Sequence, residues 1–186
     1  MVYKDETLTF ASDKIYYSDS DTTYEVMMDW EDDIMKASAD YVCEGGGDIL
    51  EIGFGMGISA NYIQANSITS HTIVENHPQV IERAKAWAVG KSNVTIVEGD
   101  WYAIKDSLST YDGIFYDTWG DDDTDHFVDV LPTLAKSGAR TTWWNNYTNS
   151  DDVFFVNGTT YESISVDPPS NVYFNSNTYY LPKKQF

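Results

Sequence analysis

Positive charge is scarce in this chain: 11 lysines and arginines stand against 30 aspartates and glutamates, a formal net charge of -19 over 186 residues. So negative a surface repels phosphate backbones and anionic bilayers, so neither nucleic acid nor a membrane is an expected partner, whereas a cationic substrate or a salty environment would suit it. Cysteine is reduced to Cys43, which excludes an intrachain disulfide and gives no sign of a thiol nucleophile, a zinc site or an oxidising compartment. Histidine is rare too, and His77 has no second histidine or acid at ligand spacing, so no metal is expected. Long apolar runs are missing. None approaches the roughly 20 residues that cross a bilayer, and the amino-terminal stretch lacks a basic segment leading into an apolar one. These absences predict a soluble, cytoplasmic protein, and they leave its oligomeric state open.

What remains is enough for a core, since 42% of residues are hydrophobic and 15% aromatic. Residues 1–25 are polar without sustained period and read as a lid or loop, followed by a single domain over 26–186. A helix is expected from Val26 to Val42, with Asp29 as cap, Glu31, Asp32 and Asp33 in the first turn and Gly45-Gly46-Gly47 as its stop. On that helix Glu31 and Met35 are four apart and share a face. Strands follow at Asp48–Ile52, His71–Glu75, Asn93–Val97, Tyr111–Trp119 and Gly138–Trp144, separated by helices after the glycine turn, from Pro78 and from about Asp125. Asp121, Asp122 and Asp123 read as a solvated loop and helix cap. Thr160–Val166 and Val172–Tyr180 read as a closing antiparallel pair across Pro168-Pro169. Alternating strands and helices with a final hairpin describe an α/β domain with a mostly parallel sheet.

The stretch Asp48-Ile49-Leu50-Glu51-Ile52-Gly53-Phe54-Gly55-Met56-Gly57 is an apolar strand that breaks into three alternating glycines before a helix. Such a turn brings backbone close to a ligand. It does not fit a dinucleotide, because the third glycine of Gly-x-Gly-x-x-Gly falls on Ile58, and no Gly-Lys-Ser/Thr follows to make a phosphate loop. Glu75 ends the second strand about twenty residues on, where doubly wound nucleotide folds place an acid on ribose hydroxyls. Trp101 at the third strand's edge either covers a purine ring or plugs the sheet end. Asp117 ends the fourth strand, facing the crevice beside the switch in strand order.

The spacing Glu51-x-Gly53-x-Gly55-x-Gly57 looks like motif I of S-adenosylmethionine-dependent methyltransferases. With Val26-Met27-Met28-Asp29-Trp30-Glu31, Gly99-Asp100-Trp101, Asp112-Gly113-Ile114-Phe115-Tyr116-Asp117-Thr118 and Val166-Asp167-Pro168-Pro169 followed by Tyr173, the chain resembles the guanidinoacetate methyltransferase family from about Val26 onward. The resemblance implies a Rossmann-like class I methyltransferase fold: a mostly parallel seven-stranded sheet with a C-terminal antiparallel hairpin. It implies S-adenosylmethionine as cofactor, leaving as S-adenosylhomocysteine, with Gly53, Phe54, Gly55, Met56, Gly57, Ile58 and Ser59 around it. Glu75 would hold its ribose, with Asn76 and His77 on the adenosine side, Trp101 and Tyr102 near adenine, and Met27 and Met35 at further cofactor contacts. Glu31 and Asp117 match the two carboxylates that clamp a guanidino group, Asp117 as base, and Asn146 and Tyr147 fall where the family offers main-chain contacts to substrate. Ile34 replaces a usual Tyr, Tyr102 a usual Glu, and the segment from Asn149 to Gly158 is short. The expected activity is N-methylation of a small guanidino compound such as guanidinoacetate; the alternatives are methylation of free or protein arginine, or a catalytically inactive, cofactor-binding protein of the same fold.

Overall fold

The computed structural model describes residues 3–121, 123–146, 154 and 156–186. Near the amino terminus Ile15, Tyr17, Glu25 and Met27 are buried while Lys14, Tyr16, Tyr24 and Val26 are only partly so, a period of two in a small antiparallel sheet of β1 (Thr9–Phe10), β2 (Lys14–Ser18) and β3 (Thr23–Met28) that ends on the buried Met28. Asp19 turns β2 into β3 by accepting the backbone N–H of Asp21 and Thr22 at 3.0 and 2.9 Å. This corrects two expectations. Much of residues 1–25 is strand, not loop, and Val26, Met27 and Met28 extend β3 where a helix was predicted. Helix propensity yields here to cross-strand pairing, Met27 with Ile15 and Met28 with Lys14.

A 3-10 turn, Asp29–Glu31, leads into α1 (Asp32–Cys43). Then come β4 (Asp48–Ile52), α2 (Ile58–Ala65), β5 (Ser70–Glu75), α3 (Pro78–Ala88), β6 (Val94–Glu98), α4 (Trp101–Ile104), β7 (Tyr111–Tyr116), α5 (Phe127–Leu134), β8 (Ala135–Trp143), β9 (Thr160–Ser165) and β10 (Thr178–Gln185). The main sheet runs β6-β5-β4-β7-β8-β10-β9, parallel from β6 through β8 and antiparallel across β10 and β9. The predicted architecture stands: a seven-stranded, mostly parallel sheet closed by a hairpin. β4 is buried at Ile49 through Ile52, as a central parallel strand covered on both faces must be. On β7, Phe115 packs with Met35, Ala39 and Val42 of α1, whereas Ile114 and Tyr116 pack with Phe127 and Leu131 of α5.

The second hairpin strand begins at Thr178, not Val172. Asn171 is the cause: its side-chain oxygen accepts the N–H of Tyr173 and Phe174 at 3.0 and 2.7 Å, folding those residues into a turn before the ladder starts. No described helix is long and apolar enough to cross a membrane.

Candidate active site

The order of the sheet reverses between β4 and β7, so the loops leaving these two strands diverge from neighbouring points, and a crevice opens between them. Gly53, Gly55 and Gly57 all adopt left-handed backbone, with φ of 93°, 51° and 75°. Glycine is required at the first of them for a second reason: a Cβ there would lie 1.8 Å from the carbonyl oxygen of Asp117. Glu75, at the end of β5, ties the turn to the next loop. One oxygen accepts the N–H of Phe54 at 2.9 Å and the other accepts those of Asn76 and His77 at 2.9 and 2.8 Å. Burial pushes its carboxyl above the usual carboxylate range, and these N–H groups oppose the rise.

These elements wall an open cleft. The turn contributes Gly53, Phe54, Gly55 and Ser59; Glu75, Asn76, Trp101 and Asp117 come from the strand ends beyond. Tyr3, from the 3-10 turn ahead of β1, and Met27 of β3 close it, and the Met27 sulfur accepts the Met56 N–H at 3.1 Å. Under the turn, Glu51 is fully buried, accepting from Ser59 Oγ and bonded to His71 Nε2 at 2.9 Å. A backbone cradle that side chains would fill, with a carboxylate at its far edge and an indole in its wall, fits an adenosyl cofactor.

A second cavity, about 380 Å³, adjoins the first and shares Val26, Asp117, Thr118 and Trp119 with it. Glu31 and Asp117 both line it. Glu31 is 3% exposed, and its Oε1 accepts the hydroxyl of Tyr173 at 2.6 Å and the N–H of Met28 at 2.7 Å. No described residue bonds Oε2. Burial, reinforced by the charge of Asp117, pushes Glu31 up to about 8; burial and the charge of Glu51 push Asp117 up to about 7. Two desolvated acids facing one space are an incomplete electrostatic arrangement, which a planar cation with several N–H donors would complete.

Other predicted site residues lie differently. Met35 is fully buried in the core beside Ala39 and Ile49 and reaches neither cavity. Ile58 packs in the same cluster, and Met56 borders a separate cleft behind the turn. Tyr102 stacks on His126 at 4.4 Å, outside the cofactor cleft. His77 caps α3, its Nδ1 accepting the Gln79 N–H at 3.2 Å and its Nε2 lying 3.1 Å from the Glu6 carbonyl oxygen; burial lowers its pKa. Asn146 lines the second cavity and accepts from Trp144 Nε1. Tyr147 lies outside the described residues. Asp121, with Asp100 and Asp123, brings carboxylate oxygens within 4.8 Å of one another, and Trp101 Nε1 and the Tyr116 hydroxyl both donate to it at 2.5 Å. Sequence reasoning gave Tyr173 no contact with Glu31; 142 residues separate the two, and only the Asn171 turn could have hinted at a residue projecting there.

This glycine turn, acid-ended second strand and switch-point crevice define a class I S-adenosylmethionine-dependent methyltransferase. Solved structures share the fold: spermidine synthase from Thermotoga maritima superposes with a TM-score of 0.62 at 11% identity over 96% of this chain and 72% of its own. Precorrin-6y C5,15-methyltransferase from Geobacter metallireducens does so with 0.60 at 14% identity over 81% and 87%. The family model of guanidinoacetate N-methyltransferase matches residues 5–155, and the chain belongs to that family. S-adenosylmethionine is the family's methyl donor, and one structural neighbour was solved with S-adenosylhomocysteine. Among relatives, protein arginine N-methyltransferase 2 of Yarrowia lipolytica is 34% identical over 152 residues, 70% of this chain and 32% of its own. The protein of the same name in Aspergillus oryzae is 39% identical over 152 residues, 77% and 36%. The chain thus spans about a third of the length of these relatives.

Proposed function

We propose that this chain, acting in the cytoplasm, transfers a methyl group from S-adenosylmethionine to a nitrogen of a guanidino group. The observation that carries the proposal is the position of Asp117, which lines both cavities and faces Glu31 across the second. When bound in the first cleft, the cofactor supplies an electrophilic methyl on a sulfonium sulfur. Gly53, Phe54, Gly55, Ser59 and Glu75 are the residues to hold it, with Trp101 and Asn76 at its other edges and Met27 above the turn.

A guanidinium carries no lone pair available for attack, so one nitrogen must give up a proton as it bonds to the methyl carbon. Asp117 takes that proton; raised to about 7, it accepts one readily near neutral pH. Glu31 binds the remaining nitrogens through its cavity-facing oxygen, while Tyr173 and the Met28 N–H fix the other oxygen and so orient the carboxylate. The acceptor is either a small guanidino acid, as the family name indicates, or the arginine side chain named in the fungal relatives. Production of S-adenosylhomocysteine with guanidinoacetate, arginine, arginine peptides and no acceptor tests the proposal. Turnover with a guanidino compound that Asp117→Asn abolishes is expected; unchanged turnover in that variant would remove Asp117 from the chemistry.

A further inference from the structure

Beneath the glycine turn a chain of polar side chains, Ser59, Glu51 and His71, runs from the first cleft into the interior and takes no part in the proton transfer proposed above. Ser59 stands in the first turn of α2 and lines the cleft, Glu51 lies on β4 and His71 on β5. Glu51 and His71 are fully buried, and among the described residues neither lysine nor arginine pairs with Glu51. The protons of this chain follow one from another. Gln64 Nε2, 3.3 Å from His71 Nδ1, is an amide nitrogen and only donates, so Nδ1 accepts and the ring proton sits on Nε2. That N–H donates to Glu51 Oε2 at 2.9 Å, while Oε1 accepts the Ser59 hydroxyl. Both oxygens of Glu51 receive, and the single proton of Ser59 is committed to the interior. Ser59 therefore shows the cleft lone pairs alone, with a carboxylate behind them.

Glu75 ends β5 and Trp101 follows β6, on the side given to adenosine, whereas Asp117 follows β7, where the methyl must face the second cavity. The turn after β4, where Ser59 stands, is left for the donor's amino-acid arm. That arm carries an ammonium, which needs acceptors, and a carboxylate, which needs donors. On the reading that the first cleft holds the donor, we infer that His71, acting through Glu51, positions the Ser59 oxygen as the acceptor that takes the ammonium and turns the carboxylate away. His71 touches neither the donor nor the methyl acceptor; it is a positioning residue that fixes the direction of a hydroxyl at the far side of Glu51. The direction can be reversed without a change of shape. In Glu51→Gln the amide oxygen must face the His71 Nε2–H, so the amide nitrogen donates to Ser59, and the hydroxyl proton turns into the cleft against the ammonium.

S-adenosylhomocysteine and methylthioadenosine share the adenosyl group and the sulfur, but only the first carries the arm. Calorimetric titration of the full chain with each gives a preference for the arm, and that ratio is the readout, because a merely loosened cleft weakens both ligands together. Glu51→Gln, Ser59→Ala and His71→Leu are each expected to lower the ratio about tenfold or more, the range of a hydrogen bond to a charged group. His71→Gln, whose amide N–H can stand in for Nε2–H, should restore it, and His71→Leu should lower it no further in the Ser59→Ala background. A ratio within roughly twofold of wild type in Glu51→Gln overturns the inference, as does a His71→Leu effect that persists without the Ser59 hydroxyl. Should the leucine variant fail to fold, the isosteric Glu51→Gln decides alone. Nitrogen NMR shifts of the His71 ring check the proton order directly: a proton on Nε2 is expected, and its absence overturns the inference. A wild-type chain that binds neither ligand removes the donor from the first cleft and the inference with it; one that binds both equally leaves the donor there and overturns the inference alone.

Discussion

The donor cleft and the acceptor cavity share a wall but are built from different materials. The first is made largely of backbone: three left-handed glycines, the N–H groups of Phe54, Asn76 and His77, and one carboxylate that joins them. The second is made of side chains from distant places, Glu31 after β3, Asp117 after β7 and Tyr173 before β10. A backbone site tolerates variation in its neighbours and is fixed by a short contiguous motif. A side-chain site depends on the whole fold, and its specificity changes with single residues.

Substitutions should separate the two. Asp117→Asn is expected to lower turnover by about 10²–10⁴-fold, the range of general-base catalysis, with cofactor affinity near wild type by calorimetry. A matching loss of cofactor binding would mean that the cavities are not separable at this residue. Gly53→Ala should do the reverse in origin, abolishing cofactor binding because its Cβ meets the Asp117 carbonyl at 1.8 Å, and lowering stability by about 2 kcal/mol or more in denaturant titration. Glu31→Gln is expected to impair acceptor binding yet leave the empty protein about as stable as before near pH 7, where burial already favours the uncharged carboxyl, and more stable well above pH 8, where it removes a buried charge. A lower melting temperature would contradict that account.

The acids also set a pH dependence. Both titrate higher in the folded chain than their ordinary values of 3.8 and 4.5, Asp117 at about 7 and Glu31 at about 8. Folding therefore takes up protons in this window, so their stabilising contribution is complete in acid and is lost as pH rises through about 7 to 8. The melting temperature of the free protein should fall over that range, and binding of a guanidino ligand near neutral pH should release protons, read as a dependence of binding enthalpy on buffer ionisation. The smallest effect is expected from Tyr173→Phe, which removes one hydrogen bond to Glu31 and should weaken the acceptor about tenfold without touching the donor.

The same contrast explains what could be read from the sequence. The strand, the glycine turn and the acid that ends β5 lie close in sequence, so their spacing pointed to a ligand turn on a mostly parallel sheet, and the family resemblance named the ligand. The N-terminal sheet escaped because its strands span at most six residues, too few for a period of two to stand out beside a Ser/Asp turn. Met35 was placed beside Glu31 by helical spacing, but it lies one turn into α1, where that face packs on Ala39, Ile49 and Phe115 and not on the crevice. Met35 consequently points into the core. Tyr173 depends on a turn set by Asn171 and on a hairpin that starts six residues later than its alternation suggested.

The bond from the Met28 N–H to Glu31 has a reach beyond the acceptor cavity. Met28 is covalently next to Met27, whose sulfur rests on the glycine turn, so one peptide joins the acid that lines the second cavity to a residue that walls the first cleft. The hydrogen bond that fixes Glu31 thus anchors the end of the same strand whose preceding residue roofs the glycine turn.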